Sequence, residues 1–183
     1  MAKTSNLSKF HSMLQEQVRH EFTASQQYVA LAVWFDGTDL PQLAKHFYRQ
    51  ALEERNHAMM IVQYLLDNDI PPVIPSVDAV RNNFDEVTEL VELALDQERK
   101  VTEEIVNLAK VARDEGDYQG EQFMQWFLKE QVEEVAQMTT LLNVVRRAQA
   151  QGNLFDIENF LAREAVGDAG NDPLAPRAAG GAL

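Results

Sequence analysis

The chain has 183 residues, of which 45% are hydrophobic and 25% charged, a balance typical of a globular domain with a full hydrophobic core. It carries 16 Lys and Arg against 29 Asp and Glu, and this net charge of −13 argues against binding nucleic acid through phosphates. Cysteine is absent, which excludes disulfides and thiolate sites, and no run of about eighteen apolar residues indicates a membrane span.

Four stretches of the chain have apolar residues at steps of three and four, the pattern of an amphipathic helix. The first predicted helix carries a stripe from Leu7 to Phe35, and the second carries one from Leu43 to Tyr64. The third stripe runs from Val87 to Ala112, and the fourth runs from Met124 to Val145. A shorter fifth helix is predicted from Leu154 to about Val166. The sequence therefore indicates an all-α fold.

Turn residues separate these helices. Asp36-Gly37-Thr38-Asp39 ends the first helix, and Asp39 is a candidate cap for the second. Gly116-Asp117 separates the third helix from the fourth, and Gly152-Asn153 ends the fourth and caps the fifth. Residues 167–183 are rich in Ala, Gly and Pro and have no periodicity, so we expect a flexible tail there.

The second and third helices are joined by a long segment without periodicity, residues 69–85, which contains three prolines. Its seventeen residues can span roughly 56–60 Å when extended. A helix of about 28 residues is ~42 Å long, so this connection can run the length of the bundle. The third helix can then start at the same end as the second, as in a four-helix bundle with one long crossover.

Each of the four stripes is interrupted near its middle by polar side chains. These are Glu21, Glu54 with His57, Glu98, and Gln131 with Glu134. A buried carboxylate is costly unless a cation neutralises it, so aligned interruptions predict a pair of metal ions. Carboxylates with a single imidazole favour Fe or Mn over structural zinc, Ca²⁺ or Mg²⁺. Glu54 and His57 alone could be an ordinary exposed pair; the interruptions at matching depth in the other stripes disfavour this alternative.

With these residues, the chain resembles the bacterial ferritins, most closely the non-haem ferritins of actinobacteria, over about residues 8–166. The strongest segments are Glu21–Tyr28, Glu53–His57 and Gln125–Glu134. The resemblance implies a ferritin-like four-helix bundle with one long crossover between helices two and three, plus a short fifth C-terminal helix. The ferritin-like di-iron domain would then occupy residues 1–166. The resemblance also implies assembly into a hollow shell of 24 subunits.

The resemblance assigns roles to the interrupting residues by position. Glu21, Glu54 and His57 would form the first ferroxidase iron site. Glu54 would bridge to a second site, shared with Glu98 and with a fourth-helix side chain, Gln131 or Glu134.

Further roles follow from the resemblance for residues next to these ligands. A third iron site is implied at three carboxylates, Glu53, Glu130 and Glu133, although these are also positions where a solvated carboxylate is unremarkable. Tyr28 lies on the same helix face as Glu21 and resembles a tyrosine that orients a ligand and supplies an electron; the alternative is a plain core tyrosine.

The chain departs from the haem-containing members of the family at two places. Those members carry a second Glu-x-x-His motif on the fourth helix, where this chain has Gln131-x-x-Glu134. They also carry a Met after the bridging Glu, where this chain has Arg55. We therefore expect no haem and a weakened second iron site.

The function implied by the resemblance is iron storage with ferroxidase activity. Fe(II) would be oxidised to Fe(III) by O2 or H2O2 at the di-iron site, and ferric mineral would fill the shell. The alternative is a di-metal carboxylate oxidase or catalase without iron storage, but such enzymes usually carry two Glu-x-x-His motifs. The polar N-terminus lacks a signal-peptide core, so we expect a cytoplasmic protein. The resemblance implies a homo-oligomer that binds iron ions, and the charge and hydropathy of the chain predict neither nucleic-acid nor membrane partners.

Overall fold

Five helices follow one another in the computed structural model, which describes residues 7–163 and 172–183. They are α1 (Lys9–Gly37), α2 (Pro41–Asp67), α3 (Val87–Asp114), α4 (Tyr118–Ala150) and α5 (Phe155–Arg163). The described residues contain no strand. The predicted all-α fold with four long helices and a short fifth is therefore confirmed. Val166, where the fifth helix was predicted to end, lies outside the described residues.

The predicted stripes form the inner faces of the bundle. Nearly all of their residues are buried; Leu7 is exposed and Tyr64 is partly buried. α1 packs along α2, and α3 packs along α4, which gives two helical hairpins that face each other across the core. None of the described helices has an apolar stretch long enough to cross a lipid bilayer.

The crossover between α2 and α3 runs along the side of α1. Near one end, the Gln15 side chain donates to the carbonyl of Pro71 and accepts from the amide of Val73. Near the other end, the indole of Trp34 donates to the carbonyl of Phe84 at 3.2 Å. Residues 15 and 34 are nineteen positions apart, a separation of about 28 Å along the helix. The crossover therefore traverses most of the bundle, as its length predicted.

The start of α2 is capped by another helix rather than by its own sequence. Asp39 has a left-handed backbone with φ of 60° and does not cap α2, so this prediction was wrong. Instead, the carboxylate of Glu158 in α5 accepts from the amides of Gln42 at 2.8 Å and Leu43 at 3.1 Å. A carboxylate at the positive end of a helix is stabilising, and this contact ties α5 to the bundle.

The apolar core is divided into two clusters. The upper cluster joins the C-terminal half of α1 to the N-terminal halves of α2 and α3 and includes Ile157 of α5. The lower cluster joins the N-terminal half of α1 to the C-terminal halves of α2 and α3 and includes Met124 and Phe127 of α4. The polar interruptions of the stripes lie between these clusters, so the packing itself defines a polar layer across the bundle.

The last twelve residues lie against α2 and α4. Ala175, Ala178 and Ala179 pack on the lower cluster, and the amide of Ala179 donates to the carbonyl of Met59 at 3.0 Å. The sequence contained no periodic signal for these contacts. The predicted flexibility of residues 167–183 stays a prediction, and residues 167–171 lie outside the described part of the chain.

Candidate metal centre

The six polar side chains that interrupt the stripes are all buried in the middle of the bundle. Each is at most 4% exposed: Glu21, Glu54, His57, Glu98, Gln131 and Glu134. They come from four different helices, and the alignment of helix levels that the sequence analysis required is present. Their role as metal ligands stays a prediction, which the geometry below makes specific.

Glu21, Glu54 and His57 form the tightest group. One ligand atom from each of them lies within 4.8 Å of the other two. His57 Nδ1 is 3.5 Å from Glu54 Oε2, because residues three apart share one face of α2. Two carboxylates and one imidazole at these separations can converge on a single cation. Among the described residues, this is the cluster of three acidic or imidazole groups with metal-binding spacing.

Glu98 organises the opposite half of the layer. The Tyr28 hydroxyl donates to Glu98 Oε1, and the Gln131 amide nitrogen lies 3.5 Å from Glu98 Oε2. Tyr28 thus contacts a candidate ligand directly, as expected for a tyrosine that orients one. The Gln131 amide presents its nitrogen to Glu98, so its oxygen would coordinate a cation only after the amide rotates. The part of the layer around Glu98 and Gln131 therefore has fewer atoms already oriented to bind a cation than the group of Glu21, Glu54 and His57.

Several carboxylate oxygens in the layer receive no hydrogen bond. Glu21 Oε2, Glu54 Oε2 and Glu134 Oε2 are buried without a hydrogen-bond partner among the described residues. A buried carboxylate oxygen without a donor is strongly unfavourable when ionised. Cations of charge +2 would supply the missing partners, and oxygen ligands with one nitrogen suit iron. The residues present therefore fit a divalent cation such as iron.

Burial changes the proton affinity of these carboxyls. It raises the pKa of Glu98 to about 7, even though the Tyr28 hydroxyl opposes this shift. Burial also raises the pKa of Glu21, Glu54 and Glu134 well above the ordinary range, and neighbouring carboxylates add to the effect. Protons therefore compete with a cation for the carboxylate oxygens of this layer.

Two supporting residues were missed in the sequence analysis. The Gln17 amide donates to Glu21 Oε1 at 2.9 Å. The Thr102 hydroxyl lies 2.9 Å from Gln131 Oε1 and 2.8 Å from the Glu98 carbonyl. Gln17 stands in the first stripe four residues before Glu21, a signal that could have found it. Thr102 lies beside its stripe, so only packing reveals its contact with α4.

The three carboxylates predicted for a third iron site do not all come together. Glu53 and Glu130 line one cavity beside His57, between α2 and α4. Glu130 is buried, and Glu53 contacts Gln50 and lies 3.8 Å from the Arg49 guanidinium. Glu133 is exposed, and its carboxylate is 3.9 Å from Lys129.

His57 is also held by aromatic rings of α4. The Trp126 ring lies edge-on to it at 5.6 Å between centroids, and the Phe127 ring does so at 5.8 Å. Edge-to-face packing restricts the imidazole to one orientation. The sequence analysis did not include these rings in the site, and their spacing on α4 equally suits core packing.

The remaining histidines lie outside this cluster. His20 Nδ1 is 2.8 Å from Glu104 Oε2, and His11 Nε2 is 3.5 Å from Asp117 Oδ2. His46 is buried in α2, burial lowers its pKa to about 4, and neither ring nitrogen has a hydrogen-bond partner among the described residues.

The chain is similar to known proteins over most of its length. The profile of one family, described as the ferritin-like domain, matches residues 12–148. Ferritin BfrB of Mycolicibacterium smegmatis is 68% identical over 176 residues, which cover 96% of each chain. Ferritin BfrB of Mycobacterium tuberculosis is 63% identical over 177 residues, again with 96% of each chain covered.

More distant proteins share the fold over most of their length. The bacterial non-heme ferritin of Staphylococcus aureus is 35% identical over 140 residues, which cover 76% of this chain and 84% of that protein. A crystal structure of an open pore ferritin from Archaeoglobus fulgidus superposes with a TM-score of 0.82 at 24% identity, covering 87% of this chain and 99% of that one. The matched family profile spans nearly all of both helical hairpins and includes the six side chains of the polar layer, and the chain belongs to the ferritin family.

Proposed function

We propose that this chain stores iron and that its buried polar layer is a ferroxidase centre for two iron ions. The observation that carries the proposal is the group of Glu21, Glu54 and His57, whose ligand atoms lie within 4.8 Å of one another in the core. Glu98, with Gln131 or Glu134, would complete the second ion's site. The ferritins most similar in sequence support the same function.

The proposed reaction uses iron as the substrate. Two Fe(II) ions bound side by side give up two electrons together, and these electrons with two protons reduce O2 to H2O2 or reduce H2O2 to two waters. Transfer as a pair avoids a free one-electron radical. The carboxyls of the layer release protons when cations bind, and their negative charge favours Fe(III) over Fe(II). No haem is required, since Arg55 follows Glu54 where haem-binding relatives carry Met.

We further propose that the oxidised iron is stored as mineral inside a shell of 24 copies in the cytoplasm. Apolar side chains exposed close together on the single chain support assembly, because grouped exposed apolar side chains mark interaction sites. They occur on the crossover at Val73, Ile74 and Val77 and on α5 at Phe155. A shell of 24 chains of 20.7 kDa has a mass of about 500 kDa, which light scattering measures directly.

The experiment that tests the function is anaerobic addition of Fe(II) to the metal-free protein, followed by air, with oxidation and particle mass followed together. Rapid oxidation and uptake of many irons per chain within a large hollow particle would support iron storage. Binding of about two metals per chain in a small oligomer without mineral would instead favour a di-metal oxidase or catalase.

Glu54→Ala tests the assigned centre. Glu54 belongs to the tightest ligand group and also interacts electrostatically with Glu98, so its loss is expected to slow Fe(II) oxidation about tenfold or more while leaving assembly intact. Glu103→Ala, at an exposed position of α3, is the matched control and is expected to oxidise iron like the parent. Normal oxidation by Glu54→Ala would contradict the proposed centre.

A further inference from the structure

A cavity of about 190 Å³ lies between α2 and α4, next to the candidate metal centre. His57 contributes to its wall, together with Glu53 from α2 and Glu130 from α4. This volume has room for several waters, so a hydrated cation can occupy it. Because His57 belongs both to this wall and to the tightest group of candidate ligands, the cavity is a short path between the centre and the surface.

The C-terminal residues form the outer wall of this cavity. Asp172, Ala175, Pro176 and Ala182 all line it. The chain end is fixed by a reciprocal pair of bonds, in which Asn56 accepts from the amide of Leu183 at 3.1 Å and donates to its carbonyl at 3.3 Å.

At its other end, the C-terminal segment is held to α4 by the side chain of Asp172. Its Oδ2 accepts from the Trp126 indole at 3.1 Å and lies 3.4 Å from Lys129 Nζ. Its Oδ1 accepts from the amide of Leu174 at 2.8 Å, which shapes the segment at the point of attachment. The segment is thus attached to α4 through one carboxylate and to α2 through Met59 and Asn56.

The attachment is weak compared with the helices beneath it. Six of the twelve residues from 172 to 183 are Ala or Gly, which bury little surface. A segment with few buried apolar contacts and a handful of hydrogen bonds opens locally far more often than a packed helix does. Because four residues of this segment line the cavity, opening of the segment would uncover it.

We propose that residues 172–183 form a lid over the cavity, that Asp172 holds the lid closed, and that lid opening sets the rate at which divalent metal exchanges with the centre. This proposal rests on the proposed function, because it takes the polar layer to be a metal centre. It predicts that a change to the lid alters the rates of metal binding and metal release by the same factor. The equilibrium affinity for the metal then stays unchanged.

A second cavity offers a competing route. It measures about 300 Å³ and lies between α1 and α3, lined by His20 and Ala24 near Glu21 and by Gln97 and Val101 near Glu98. The C-terminal segment does not line this cavity. If metal enters through this second cavity, its exchange rate will not depend on whether the lid is open or closed. Changes to the lid therefore distinguish the two routes.

The first test measures Co²⁺ binding to the assembled metal-free protein by stopped-flow absorbance, with release followed after addition of a chelator. Asp172→Ala removes the attachment to Trp126 and Lys129, and binding and release are both expected to become about three to ten times faster, the effect of one hydrogen bond of ordinary net strength. Arg177→Ala, an exposed change in the same segment, is the matched control and is expected to leave both rates unchanged.

The second test locks the lid. Met59→Cys combined with Ala179→Cys joins positions whose backbone N and O atoms are 3.0 Å apart, in a chain without other cysteines. The oxidised protein is expected to exchange Co²⁺ more slowly than the reduced protein, and reduction is expected to restore the parent rate.

The outcomes separate this proposal from the proposed function. Unchanged rates in both Asp172→Ala and the oxidised pair would overturn the lid and point to the α1/α3 cavity as the route. A weaker Co²⁺ affinity in Asp172→Ala with an unchanged release rate would also overturn it, since Asp172 would then act on the bound metal. If the parent protein bound no Co²⁺ at the centre, the proposed function itself would fail.

Discussion

Gln131 is the residue at which the centre of this chain is weakest. Its amide nitrogen lies 3.5 Å from Glu98 and its oxygen 2.9 Å from Thr102, so both polar atoms already have protein partners. An amide is also a poorer ligand for iron than an imidazole. We expect the second ion to be held loosely as a result, which favours movement of oxidised iron from the centre into the mineral.

Gln131→His tests this interpretation. The imidazole is expected to bind the second metal ion about tenfold more tightly and to retain Fe(III) at the centre, which slows later turnovers more than the first. Single-turnover and multiple-turnover oxidation measured together separate these effects. Gln125→His, an exposed change on α4, serves as the control. If iron leaves the centre of Gln131→His as fast as in the parent, the interpretation is wrong.

At the scale of the helices, the Phe10 side chain of α1 reaches α4 at a position occupied by glycine. Gly120 lies in the first turn of α4 beneath the fully buried ring of Phe10. A Cβ atom added at Gly120 would lie 2.8 Å from Phe10 Cζ and nearer still to Cε1. This contact requires a residue without a side chain, and it fixes the height of α4 relative to α1.

Gly120→Ala is therefore expected to destabilise the fold by about 1–3 kcal/mol, because a core this closely packed cannot accept the added methyl without moving the Phe10 ring. The thermal unfolding midpoint should fall by several degrees. Gly37→Ala is the matched control, since a Cβ atom there meets nothing within 4 Å. An equal midpoint for the two variants would show that α4 adjusts freely.

For the whole molecule, the polar layer links stability to pH and to metal. A carboxyl whose pKa is raised on folding stabilises the fold fully below its unfolded value near 4.5. That contribution is lost as the pH rises through the folded value, about 7 for Glu98. The metal-free protein is therefore expected to lose stability between about pH 4.5 and pH 7, the unfolded and folded pKa values of Glu98. A bound divalent cation is expected to reverse this trend, because it binds the ionised carboxylates.

Denaturant unfolding of the metal-free protein across this pH range measures the effect. Glu98→Gln removes one of the titrating carboxyls, so its unfolding free energy should depend less steeply on pH than that of the parent. The metal-loaded parent is the second comparison and should be most stable at the upper end of the range. An identical pH slope in Glu98→Gln and the parent would exclude Glu98 as a contributor.

Much of the fold was predictable because a helix repeats every 3.6 residues, so a stripe of apolar residues reveals which face is buried without knowledge of the partner. The lengths of the stripes and the crossover then limit how the helices can be connected. The same periodicity identified Glu21, Glu54, Glu98 and Glu134 as carboxylates on buried faces, which is the property that singles them out for cation binding.

Features that depend on contacts between residues far apart in the sequence were decided only by the tertiary structure. It places Glu53 and Glu130 around one cavity and leaves Glu133 exposed, although all three are acidic residues beside candidate ligands. It caps α2 with Glu158 from more than one hundred residues away. It also lays an aperiodic C-terminal segment across the wall beside His57. Each of these outcomes follows from the relative height and rotation of packed helices, and local periodicity carries no information about either.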